Sequence, residues 1–193
     1  MNLKSWHYIK FLLKATNQHG VHSPFVYNLV TKCFYDKTKY TDYKTLDKIR
    51  KGKVSRKKSR LLYRIVRYFN PQSVVIFGST KDAINKTILL AQPEVKLLEE
   101  HDWPDYEVRK PFDLIYFDSS DKADYLKALV YLLETTTNDT VWIFNHIHND
   151  PEFSAVWKTI KRHKKVRVTI DLFFWGLVFF RGEQVKEHFR IRV

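Results

Sequence analysis

The chain has 193 residues and a mass of 23.2 kDa, which fits one domain, or one domain with a modest helical appendage. Apolar residues make up 44% and aromatic residues 16%, enough to build a core and to exclude wholesale disorder. Lys and Arg number 34 against 21 Asp and Glu, so the net charge of +13 predicts affinity for polyanions or acidic surfaces while leaving the fold open.

At the N-terminus, residues 3–14 place Leu3, Trp6, Tyr8, Ile9, Leu12 and Leu13 mainly on one helical stripe. Lys4, His7, Lys10 and Lys14 interrupt the apolar run and no small-residue cleavage site follows, so the stretch does not read as a signal peptide. Ser23-Pro24 has the form of an N-cap with proline in the first helical turn, predicting a helix over 24–34. Cys33 is the single cysteine, which excludes an internal disulfide and a cysteine-built zinc site and suits a reducing cytoplasm. A third helix is expected over 56–69, with Leu61, Leu62, Ile65, Val66 and Phe69 inward, Arg60, Arg64 and Arg67 outward, and Asn70-Pro71 as its stop.

After Pro71 the pattern changes from helical periodicity to strand–helix alternation. Residues 73–77, 113–117 and 140–144 are short runs, apolar at nearly every position, as expected of adjacent parallel strands covered on both faces. Val95 to Leu98 is a candidate extra strand. Helices are expected over 82–90, 122–134 and 151–162. Residues 166–170 and 177–180 are two strands joined by a turn around Trp175-Gly176, with no helix between them, so they should pair antiparallel at one edge. An open α/β sheet is the expected class. No apolar run approaches the ~18 residues of a membrane span, and a cytoplasmic protein is expected.

Ligands of such sheets bind beyond the carboxyl ends of the strands, so the residues there are the candidates. Gly78 would let a nucleotide approach the backbone of the loop begun by Ser79, or would simply serve a turn. Glu99 and Glu100 would close the second strand, as acceptors for a ribose diol or as solvated loop carboxylates. Asp118 ends the next strand, where a carboxylate requires a helix N-terminus, a cation or a ligand. Asn145, His146 and His148 follow the fourth. Asp118 with the two imidazoles is a loose zinc or iron set; histidines at i, i+2 on a loop with no fixed third ligand point to no bound metal.

The stretches HGVHSPFVYNLV (19–30), SRLLYRIVRYFNP (59–71), FDLIYFD (112–118), FNHIHNDPEFSAVWKTIKRH (144–163) and VTIDLFFWGLVFFRGEQVKEHFRIR (168–192) resemble a bacterial family of class I S-adenosylmethionine-dependent methyltransferases. The resemblance runs from His19 onward. It implies a Rossmann-like methyltransferase domain over 71–193, mostly parallel with an antiparallel C-terminal edge hairpin, and a packed N-terminal helical region over 1–70. It also implies S-adenosylmethionine as cofactor, held by Gly78, Ser79, Glu99, Glu100 and Asp118, with His148 or His146 accepting a proton from the methyl acceptor. The chain departs from the family at these points. The family's acidic, glycine-rich first loop is here IFGSTKDAINKT, with Phe77 at or beside the acidic position and one glycine. Only about a dozen residues, Glu99 to Pro111, precede the Asp-bearing strand, where the family carries a fuller strand–helix unit. An Asp-Asp-Ile-His-Trp segment is replaced by Asn145-His146-Ile147-His148-Asn149. Another glycine-rich stretch, before the third helix, is reduced to Lys51-Gly52-Lys53. These losses imply a shortened member with a degenerate cofactor site, a candidate pseudoenzyme.

Residues 50–67 hold nine Lys or Arg and no acid, and 157–167 hold six and none. Arg56, Lys57, Lys58, Arg60, Lys161, Arg162, Lys164 and Lys165 are expected to be mostly exposed, either as a solvated face or as a polyanion footprint. The alternative function is therefore a non-catalytic binding protein that engages nucleic acid or an acidic partner.

Overall fold

In the computed structural model, residues 3–50, 54–78, 81–100 and 111–193 are described. Helix α1 spans Leu3–Lys14. Ser23 caps α2 (Pro24–Leu29), its Oγ accepting from the Val26 amide, and the helix widens into a π-type turn over Val30–Phe34. Helix α4 (Arg56–Phe69) is capped by Ser55 and ends at Asn70, whose φ of 47° is left-handed ahead of Pro71. Its Leu61, Leu62, Ile65 and Val66 are fully buried, each such side chain contributing ~1.5–3 kcal/mol.

Helix α3 (Tyr43–Arg50) lacks a sequence signal because Leu46 is its single fully buried anchor. Its Asp47 gathers Arg50, Arg56 and Arg60 at 3.0, 3.2 and 3.1 Å. The Arg50 hydrogen bond foremost, with the other two guanidiniums, holds the Asp47 carboxyl below its ordinary range. Arg64 does not face outward as expected. Its guanidinium donates to the Cys33 and Phe34 carbonyls at 2.8 and 3.0 Å, satisfying the end of the preceding helix.

Seven strands form one sheet: β1 (Ser73–Gly78), β2 (Lys96–Glu100), β3 (Leu114–Asp118), β4 (Val141–Asn145), β5 (Val168–Asp171), β6 (Trp175–Phe179) and β7 (Glu187–Arg190). Their order is β2-β1-β3-β4-β6-β5-β7. Strands β2, β1, β3 and β4 run parallel, β6 is antiparallel to both β4 and β5, and β7 is parallel to β5. The three apolar runs after Pro71 are thus adjacent, parallel and central.

Two corrections concern the end of the chain. Trp175 and Gly176 are not a turn; they open β6, and the reversal lies at Leu172–Phe174, where Phe173 has φ 71°. The hairpin is also not the edge, because β7 lies outside it. Strand β7 alternates partly buried and exposed residues, and so lacks the unbroken apolar run by which the central strands announce themselves. Its continuation, Ile191, bridges Thr16, tying the segment after α1 to the sheet.

Helices α5 (Lys81–Ala91), α6 (Lys122–Tyr131) and α7 (Pro151–Arg162) connect the strands. The helix expected to reach Glu134 is interrupted at Leu132 and resumes as a short 3-10 turn. One apolar cluster joins α2 and α4 to one sheet face, through Leu29, Leu62, Ile65, Ile76, Tyr116 and Ile143. A second packs α6 and α7 on the other, through Tyr125, Phe153, Trp157, Phe117 and Phe144.

Candidate functional site

The carboxyl ends of β1, β3 and β4 meet at Asp118, which is 2% exposed. Gly78 pairs with it in register and has φ 126°; a side chain there would run into the Asp118 backbone carbonyl. Only glycine allows this close approach of two strand ends. The residue before it, Phe77, stacks on Phe117 with ring centroids 5.4 Å apart, and Phe117 stacks on Phe144 at 4.4 Å. This aromatic ladder crosses β1, β3 and β4 on the α6–α7 face, so the position where an acid was implied by resemblance belongs to the core.

Asn145, at the end of β4, donates from Nδ2 to Asp118 Oδ1 at 2.5 Å. His146 takes a left-handed backbone, φ 62°, and its Nε2 lies 3.0 Å from the same oxygen. Lys58, from the first turn of α4, donates to Asn145 Oδ1 at 3.3 Å and lies over the Phe174 ring. Burial lowers the Lys58 pKa, and the Asp118 charge opposes that shift. A buried carboxylate, an amide, an imidazole and an ammonium therefore form one cluster at the strand ends.

His148 belongs to a different cluster. Its Nε2 lies 2.7 Å from Asp171 Oδ2, at the end of β5. The Phe173 amide donates to Asp171 Oδ1 at 2.8 Å, and the Phe173 ring stacks on the imidazole with centroids 5.5 Å apart. The tight turn after β5 thus aims the carboxylate and clamps the ring it holds. With a carboxylate on Nε2, neutral His148 carries its proton there and presents the Nδ1 lone pair, near Ser154 Oγ at 3.5 Å. That is the arrangement of a general base held by a positioning carboxylate.

A cavity of about 130 Å³ separates the clusters, lined by Lys58, His146, His148, Asn149, Phe173 and Phe174. A larger one of about 540 Å³ shares Lys58, Phe173 and Phe174 with it and extends beneath Tyr8, Phe11 and Leu12 of α1.

Of the residues expected at the site, His146 and His148 border one cavity, with Asp118 and Gly78 behind His146. Glu99 and Glu100 end β2, opposite Ile76 and Phe77. Ser79 lies outside the described residues. The two histidines do not converge, since each serves its own carboxylate, and among the described residues no group of three or more His, Cys, Asp or Glu is placed to hold a metal.

Sequence reasoning missed Lys58 and Asp171. Asp171 carried the same signal as Asp118, a carboxylate closing an apolar strand; Lys58 is indistinguishable from its basic neighbours until α4 points it inward. Lys58 and Arg60 are accordingly not the exposed cations expected, and Lys161 and Lys165 are also partly buried, whereas Arg56, Lys57, Arg162 and Lys164 are exposed.

No protein-family model matches the chain, and neither does any curated protein. Its fold, however, is shared with solved methyltransferases. An SAH-bound methyltransferase of Podospora anserina aligns with a TM-score of 0.59 at 10% identity, over 83% of this chain and 97% of that one. The O-methyltransferase of Streptomyces achromogenes involved in tomaymycin synthesis, in complex with SAM, aligns at 0.52 and 13% identity, over 75% and 92%. A methyltransferase of Geobacter sulfurreducens aligns at 0.52 and 14% identity, over 76% and 92%. The chain has the Rossmann-like fold of these solved methyltransferases, one of which is in complex with SAM and one SAH-bound.

Proposed function

We propose that this chain is an S-adenosylmethionine-dependent methyltransferase-family protein whose cofactor site is degenerate, binding the cofactor weakly and transferring methyl groups slowly if at all. The observation that carries the reading is the engagement of Asp118: the Asn145 amide and the His146 imidazole both reach its Oδ1. Phe77 adds to it, because its ring is part of the core ladder and offers a cofactor no charge-assisted hydrogen bond. The described ends of β1 and β3 therefore do not fit tight retention of an adenosyl group, each missing charge-assisted bond forfeiting ~1.5–3 kcal/mol.

The acceptor side is better preserved. His148, held by Asp171, faces the cavities beside Phe173 and would take a proton at Nδ1 from an acceptor placed there. The rival reading is a binding protein that presents its basic 50–67 and 157–167 runs to nucleic acid or an acidic partner; internal pairing weakens the first run's part in it, since Asp47 holds Arg50, Arg56 and Arg60, and Lys58 turns to Asn145.

Thermal melting with SAH tests the reading. A ligand present at a hundred times its dissociation constant stabilises the fold by ~2.7 kcal/mol, so a functional site would give a clear, dose-dependent rise in melting temperature at micromolar SAH. The degenerate site predicts no shift in that range and a small one at millimolar SAH. A clear dose-dependent shift at micromolar SAH would overturn the proposal.

A further inference from the structure

Beside the candidate site, where the end of α1, the last turn of α7 and β7 come together, lies a cavity of about 310 Å³. Lys14, Lys161 and Arg190, one from each element, line it, together with Thr169, His188 and Asp171. Asp171 is the single carboxylate in this lining. It already accepts from His148 and from the Phe173 amide, and Arg190 Nε reaches it only at 4.0 Å. Among the described residues, neither Lys14 nor Lys161 has a carboxylate within ion-pair distance.

Three separate elements therefore bring cations to one hollow with a single counter-charge, leaving an excess of two positive charges. Like charges gathered this way repel, and the strain registers on the groups themselves. Burial first and the Arg190 charge second lower the Lys161 pKa; burial and then Lys161 and Lys186 lower that of His188. A dianion of several acceptor oxygens relieves the repulsion and accepts from the Lys and Arg donors around it.

We propose that this hollow binds the phosphate group of a small phosphorylated molecule. A neighbouring cavity of about 240 Å³ shares Lys14 and Arg190 and reaches His148, so the remainder of the ligand has a path towards the candidate acceptor site. Binding of the phosphate requires nothing of the cofactor site and stands or falls separately from the methyltransferase reading.

Calorimetry on the full chain at low ionic strength tests it, with inorganic phosphate and ethyl phosphate as probes. Both are expected to bind at one site and to compete. An ester that binds at least as tightly as the free ion identifies a phosphomonoester; an ester that is excluded assigns the site to the free ion and overturns the small-molecule assignment. Lys161→Gln should weaken binding about tenfold, as expected for loss of one charge-assisted contact, and Lys161→Arg should retain it. Lys14→Gln, an exposed change that leaves the core intact, should weaken it similarly, and Lys32→Gln on the α2 side should have no effect. Unchanged affinity in both the Lys14 and Lys161 variants, or no binding of either probe, would refute the proposal. A short single-stranded oligonucleotide that binds more tightly than the ester and resists displacement by phosphate would assign these cations to nucleic acid and overturn it as well.

Discussion

Asn145 Nδ2 lies 2.5 Å from Asp118 Oδ1, so the ends of two central strands are joined by an amide where a second carboxylate would set two like charges together. Asn145→Asp would create that pair at two positions that are each less than a tenth exposed. One carboxyl of the pair would then titrate above its unfolded value, and the folded state would bind more protons than the unfolded one. Stability lost by the variant should therefore grow as pH rises from 4 to 7, reaching about 1–3 kcal/mol. Urea unfolding of both proteins at the two pH values measures it. A variant as stable as wild type at pH 7 would show that Lys58 and His146 together compensate the added charge.

The Asp171 carboxylate is expected to fix the His148 tautomer. Nitrogen NMR of the imidazole should show the proton on Nε2 in the wild type, with substantial Nδ1–H population in Asp171→Ala. The same change removes the acceptor of the Phe173 amide and should lower stability by ~1–3 kcal/mol. An unchanged tautomer would leave Asp171 a structural role only.

Tyr63 donates to Asp42 Oδ2 at 2.5 Å in the N-terminal helices, and burial, reinforced by that hydrogen bond, raises its pKa to about 12. A raised folded pKa contributes stability that is complete below the unfolded value near 10 and is lost as pH climbs to about 12. The advantage of wild type over Tyr63→Phe should accordingly shrink across that interval in alkaline denaturant titrations. An advantage that stays constant would mean the phenol gains nothing from Asp42.

The parallel core was legible because β1, β3 and β4 are apolar on both faces, and a strand covered twice leaves no alternation to misread. Two helix boundaries were equally plain: Ser23 before Pro24 and Asn70 before Pro71 each stand where the backbone changes conformation. Strand β7 was hidden because half its residues face solvent, and α3 because Leu46 alone anchors it. At the site, Asp118, His146 and His148 could be named from their places after strands. Which carboxylate each histidine serves could not, since the left-handed turns at His146 and Phe173 decide it, and a phenylalanine gives no signal of that conformation.

Strand ends occupied by Phe77, Asn145 and His146 are expected to hold S-adenosylmethionine weakly. Calorimetric titration of the full chain with S-adenosylmethionine, beside Asp118→Ala, measures this most directly. The predicted result is no saturable heat at micromolar ligand in either protein. A micromolar dissociation constant in the wild type, abolished by Asp118→Ala, would contradict it.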